Sequence, residues 1–128
     1  MPATIATFAD FAGHLLAARQ RSTGSTAAAS LAQKMARDGE EIALHFTHPG
    51  RARDDAVALF WQVAPLAFAD PELMQGALDP DRVTDRMVAA IRASSLSHDF
   101  TGTVLAEPFF RQVAHRCLTV MRADEAGG

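Results

Sequence analysis

The stretch TAAASLAQKMARDGEEIALHF, residues 26–46, decides the fold class. Its large apolar residues follow at steps of four, seven and four, which places them on one face of an α-helix. They are Leu31, Met35, Ile42 and Phe46. Gly39 interrupts this face at a cost of about 1 kcal/mol relative to alanine. The pattern predicts either one helix, kinked at Gly39, or two helices with Gly39 as the C-terminal stop. The unbroken phase favours one helix, in which Gly39→Ala is neutral or stabilising.

Helical patterns continue on both sides of this stretch. Thr7 is a predicted N-cap for a first helix that runs through Arg21. A third helix is predicted from about Arg53 to Ala64, where Pro65 ends or kinks it.

Two Asp-Pro pairs predict further helix starts, because aspartate is a good N-cap and proline suits the first helical position. Asp70 opens a short helix to about residue 78, and Asp79 opens a longer one to about Ser94. A last helix begins near Glu107 and Pro108.

Alternating strand patterns are missing from the sequence, so we expect an all-α fold. The prediction is a single compact bundle of five or six helices with orthogonal or irregular packing. It forms one domain over residues 1–128, with a frayed tail from about residue 123. The predicted core consists of Phe11, Leu15, Leu31, Met35, Phe46, Phe60, Met87, Ile91, Phe109 and Val113.

The composition is that of an ordinary globular domain. Of the 128 residues, 48% are apolar and 21% are charged, and the net charge is −3. No signal peptide is recognisable, and no apolar stretch approaches the roughly 20 residues that cross a bilayer. We therefore expect a cytoplasmic protein without a membrane partner.

Histidine and cysteine are the natural candidates for a metal or catalytic site. His45 and His48 lie three residues apart, but zinc needs three or four converging ligands. His115 and Cys117 point about 200° apart on a helix, so they cannot share one ion. Cys117 shares the apolar stripe of the last helix and is predicted to be buried. No catalytic motif occurs, so we expect no catalytic residue, metal or cofactor, and a non-enzymatic function.

Aromatic residues carry the strongest hint of an interaction surface. Neighbours on a helix diverge by about 100°, so one face cannot bury Phe60 and Trp61, or Phe109 and Phe110, equally well. Trp61 and Phe110 are therefore predicted to reach an exposed edge. The predicted interface adds Arg111 and His115 from the polar side of the last helix. The leading hypothesis is an adaptor or assembly module whose partner is another protein or a second copy of the chain.

Two other classes of function remain as alternatives. One is a small-ligand-responsive regulator with an apolar pocket lined by Trp61 and phenylalanines. The other is a helical nucleic-acid-binding protein, which the interspersed acidic residues and the negative net charge do not favour.

The second half of the chain carries a resemblance. The segment DPELMQGALDPDRVTDRMVAAIRAS and the later DFTGTVLAEPFFRQVAHRCL resemble small helical modules of bacterial multidomain signalling and defence proteins. The likeness rests on the Asp-Pro helix starts and on the LAEPFFR stretch. It implies a bacterial interaction module and assigns no ligand or catalytic residue.

Overall fold

The computed structural model describes residues 5–24, 29–45, 51–75, 79–94 and 106–127. Over these residues the chain forms five α-helices and no strand, which confirms the all-α prediction. The helices are α1 Phe8–Thr23, α2 Ala29–Leu44, α3 Arg51–Ala67, α4 Pro80–Arg92 and α5 Ala106–Gly127.

Helix α5 lies at the centre of the bundle and packs against each of the other four helices. Its contacts with α4 define the direction of that pair. His115 contacts Asp81 in the first turn of α4, whereas Glu107 contacts Arg92 in the last turn. Helices α4 and α5 are therefore antiparallel.

The core agrees closely with the prediction. Every predicted core residue that the structure describes is buried, and Phe46 lies outside the described residues. Phe60 occupies the centre of an aromatic cluster, with ring centroids 5.2–5.7 Å from those of four neighbours. Those neighbours are Phe8, Phe11, Phe109 and Phe110. Tilted aromatic pairs of this kind contribute about 0.5–1.5 kcal/mol each beyond the area they bury.

Helix α2 is continuous through Gly39, as the one-helix prediction requires. Gly39 does not have a positive φ, so it is not a left-handed helix stop. A Cβ atom at this position would lie 2.6 Å from Cδ1 and 2.9 Å from Cγ of Phe8. The glycine therefore allows α1 and α2 to approach closely.

Helix α3 continues beyond the predicted end at Ala64, with Pro65 inside its last turn. A proline removes one backbone donor and disturbs the preceding turn. Here Ala64 and Ala67 are fully buried, so packing against the core offsets the lost bond. The predicted end of this helix at Ala64 is therefore wrong, whereas the alternative of a kink at Pro65 stays a prediction.

The first Asp-Pro pair does not start a helix within the described residues. Residues 71–74 form turns, with Leu73 N donating to Asp70 O at 3.2 Å and Gln75 N to Glu72 O at 3.2 Å. Ser22 Oγ donates a hydrogen bond to Met74 O at 2.6 Å, so this carbonyl of the turn is bonded to α1. The second pair behaves as predicted, because Asp79 caps α4 through a bond from Asp81 N.

Helix α1 is longer than predicted at its C-terminal end. Helix α1 begins at the Thr7 cap as predicted, and it ends at Thr23 with left-handed Gly24 as its C-cap. Helix α5 continues to Gly127, and so includes the segment from about residue 123 that is predicted to fray. An ion pair between Arg19 and Asp124, with 3.7 Å between Nη1 and Oδ2, connects this last segment to α1.

Candidate functional site

Helices α2 and α5 pack side by side and leave a groove on the molecular surface. Cys117 Sγ lies 3.7 Å from Met35 O, where the two helices are in close contact. Toward the end of α2 the surface opens into a groove of about 620 Å³. We call this the α2–α5 groove; its lining consists of Ile42, Arg111, Gln112, His115, Arg116 and Thr119.

One face of α5 supplies most of this lining. Its residues follow the spacing i, i+1, i+4, i+5 and i+8, which places five polar side chains on a single outward face. Ile42 of α2 contributes the one apolar side chain, and it packs partly against the core. The groove is thus open to solvent, and Arg111 and Arg116 give it positive charge along α5.

Carboxylates of α4 and α5 hold two of the basic side chains in place. Arg111 Nη1 donates to Asp85 Oδ1 at 2.8 Å, and its Nε contacts Glu107 Oε1 at 3.4 Å. His115 Nε2 lies 2.9 Å from Asp81 Oδ1. The positions on each helix are four residues apart, so successive pairs stack along the antiparallel α4–α5 contact. Exposed pairs of this kind each contribute about 0–1 kcal/mol to stability.

The hydrogen bond with Arg92 lowers the pKa of the Glu107 carboxyl, and Arg111 lowers it further. Partial burial acts in the opposite direction and does not cancel this decrease. The same contact raises the pKa of the Arg92 guanidinium. Charges at this end of α4 and α5 are therefore fixed near neutral pH.

The four predicted interface residues do not share one surface. Arg111 and His115 lie together in the α2–α5 groove. Trp61 is partly buried, with ring centroids 4.8 Å from Phe8 and 4.9 Å from Phe60. It therefore belongs to a different part of the bundle.

Phe110 is a correction to the predicted interface. Its side chain is 0% exposed, and its ring packs against Phe11 and Phe60. The prediction of an exposed edge assumed that only one side of the last helix is covered. Because α5 is the central helix, partners cover both the Phe109 and the Phe110 directions. Phe110 is a core residue.

Arg19 is the polar residue that the sequence pattern misplaced. An arginine is expected at the surface, yet Arg19 is 3% exposed, with Nη1 3.5 Å from Met121 O. Its position four residues after Leu15 places it on the buried stripe of α1, and that spacing is the signal that identifies it. A buried guanidinium cannot contact nucleic-acid phosphates, so it does not add to a basic surface.

Cysteine and histidine side chains do not form a cluster in the described parts of the chain. Cys117 is buried as predicted, and burial, with a smaller effect of Asp38, raises the pKa of its thiol to about 12. It therefore stays protonated and unreactive. No group of three or more potential metal ligands occurs among the described residues, whereas His48 and His98 lie outside them.

Comparisons of the chain with protein-family models, curated proteins and solved structures found no match.

A second cleft lies where the end of α1 meets the turns that follow α3. It measures about 320 Å³ and is more enclosed than the α2–α5 groove. Phe68, Leu73 and Met74 provide apolar walls, and Arg21 and Asp70 line it as well. Arg86 Nε and Nη2 both donate to Asp70 Oδ2, at 3.0 and 2.7 Å. Trp61 does not line this cleft, so the apolar pocket predicted around Trp61 is not the one found here.

Among the helices described, none has the length and apolar character needed to cross a bilayer.

Proposed function

We propose that this chain is a non-enzymatic helical module that binds another protein through the α2–α5 groove. The observation that carries the proposal is the groove itself. It is an open surface on the central helix, with an apolar floor at Ile42 and with basic side chains, Arg111 and His115, held in fixed positions. Ordered polar groups around an apolar contact are the features of a protein-binding surface. The bacterial signalling or defence setting implied by the resemblance belongs to the same proposal.

The distribution of apolar surface supports a transient interface over an obligate one. Leu44, at 68% exposure, is the one large apolar side chain that stands exposed among the described residues. Obligate interfaces are more apolar than the remaining surface, whereas transient interfaces resemble it. The partner is therefore expected to bind reversibly.

Site-specific photo-crosslinking tests this function. A photoreactive residue replaces exposed Gln112 inside the groove, and the same replacement at exposed Gln33, on the other side of α2, is the matched control. The proposal predicts a defined protein adduct in cells of the source organism from position 112 and none from position 33. Identical adducts from both positions, or none from either, would contradict it.

A small-ligand regulator is the second candidate, supported by the cleft beside α1. Its volume of about 320 Å³ is at the lower end of ligand pockets, which span roughly 300–1,000 Å³. Arg21 lines the cleft and forms no ion pair with a described residue. A small carboxylic acid with an aliphatic chain would place its carboxylate on Arg21 and its chain against the apolar walls. A thermal shift with short-chain fatty acids that disappears in Arg21→Gln would favour this function.

A further inference from the structure

We propose that the α2–α5 groove recognises an acidic segment of its partner protein, with a carboxylate on Arg116 and an aliphatic side chain on Ile42. This inference rests on the proposed function and adds the chemistry of the partner. It derives from the charges along the groove, from the donors that remain available there, and from the position of the single apolar residue.

The charge of the lining has one sign. Arg111 and Arg116 carry the charge, His115 is a further basic residue, and none of the six lining residues is acidic. The carboxylates that contact Arg111 and His115 come from α4 and from Glu107, which are not part of the lining. Arg116 forms no ion pair with any described residue, so its charge is left for a ligand.

Unused donors define where a carboxylate would bind. Arg111 uses Nη1 for Asp85 and Nε for Glu107, and its Nη2 has no hydrogen-bond partner among the described residues. Arg116 follows Arg111 by five residues, about 140° around α5, and both residues line the groove. A carboxylate between the two guanidinium groups would accept charge-assisted hydrogen bonds, which are about twice as strong as neutral ones.

The ion pairs with α4 also reduce the cost of binding. A free arginine loses side-chain entropy when a ligand fixes it. Asp85 and Glu107 already fix Arg111, and Asp81 fixes His115, before any partner arrives. The groove is therefore preorganised for an anionic group.

Ile42 is the reason to expect an aliphatic residue in the ligand, beside the acidic one. It is the one apolar residue of the lining and faces α5, so an aliphatic side chain of the partner would cover it. Leu44 is two residues further along α2, about 200° around the helix, and does not line the groove. The expected ligand is thus a short segment that combines aspartate or glutamate with leucine, isoleucine or valine.

Selection from a phage-displayed library of short random peptides tests this inference on the full chain. The expected winners combine acidic and aliphatic residues. Their affinities, measured as synthetic peptides by fluorescence anisotropy, should fall roughly tenfold to a hundredfold in Arg116→Glu, the range for a hydrogen bond to a charged group. Arg37→Glu is the matched control, because Arg37 is exposed on another face of α2. A peptide with lysine in place of the acidic residue should regain affinity for Arg116→Glu.

The possible results distinguish a failure of the acidic-segment inference from a failure of the proposed protein-binding function. Peptides that bind without acidic residues, or equally well to Arg116→Glu, overturn the inference and leave the interaction module in place. A selection that enriches no peptide overturns both. Self-association in sedimentation that Arg116→Glu abolishes would assign the groove to a second copy of the chain. Binding of a duplex oligonucleotide with the same loss would assign it to nucleic acid.

Discussion

Gly39→Ala should destabilise the protein, although the glycine lies inside a helix. On propensity alone the alanine gains up to about 1 kcal/mol. The added methyl, however, would lie 2.6 Å from Phe8 Cδ1 and 3.2 Å from Phe8 Cβ. Those distances require helix α1 or the ring of Phe8 to move, and overpacking of this kind costs about 1–3 kcal/mol. With the middle of that range, we expect a net loss of about 1 kcal/mol.

The assay is chemical denaturation followed by circular dichroism, which reports the free energy of unfolding from the midpoint and slope. Gly13→Ala is the matched control, because a Cβ at Gly13 in α1 would meet no atom within 4 Å. It should stabilise by about 0.5–1 kcal/mol. Gly24→Ala is a second control, since Gly24 has φ 78°, and it should destabilise by about 1 kcal/mol without any steric contact.

A double-mutant cycle with Phe8→Ala isolates the cause. Removing the ring eliminates the two closest contacts of the new methyl. In that background Gly39→Ala should become neutral or stabilising, which gives a coupling energy of about 1–3 kcal/mol. The reasoning is refuted if Gly39→Ala stabilises as much as Gly13→Ala. It also fails if its effect is the same with and without the Phe8 ring.

Three further perturbations test other parts of the structure. Cys117, with its pKa raised to about 12 by burial, should not react with a thiol reagent in the native protein at neutral pH, and it should react fully in denaturant. Thr84 is 3% exposed, and its Oγ1 has no hydrogen-bond partner among the described residues, so Thr84→Val should stabilise by up to about 1 kcal/mol in thermal melts. Glu107 has a folded pKa below its ordinary value of 4.5, so its stabilising effect is complete above that pH and is lost as the pH falls through the lower, folded pKa. Glu107→Gln should therefore lower stability at neutral pH and flatten the acid side of the stability curve, whereas an unchanged curve would contradict the Arg92 contact.

Local chemistry explains which predictions about the fold succeeded. The Thr7 and Asp79 caps, the start of α4 and the continuity of α2 depend on neighbours within a few residues along the chain. Pro65 and the first Asp-Pro pair carry equally clear local signals, yet α3 does not end at Ala64 and Asp70 does not start a helix within the described residues. In both places packing decides, because buried Ala67 holds the last turn of α3 and Ser22 occupies the Met74 carbonyl.

The candidate site was predictable only in part. The spacing of the last helix placed Arg111 and His115 on its polar face, and both line the groove. Their acidic partners, Asp81 and Asp85, lie on another helix, so their pairing depends on how α4 docks against α5. Ile42 shares the apolar face of α2 with Leu31 and Met35, which are buried, whereas packing leaves Ile42 only partly buried.

Periodicity and capping determined the helical class, the apolar stripes and the burial of Cys117, because each depends on the order of residues along one helix. Tertiary structure decided the burial of Phe110, the close approach at Gly39 and the existence of the α2–α5 groove. Each of these depends on which helix lies opposite, and at what distance. A single helix does not encode its neighbours, so the surface that remains for a partner is defined only after all five described helices have packed.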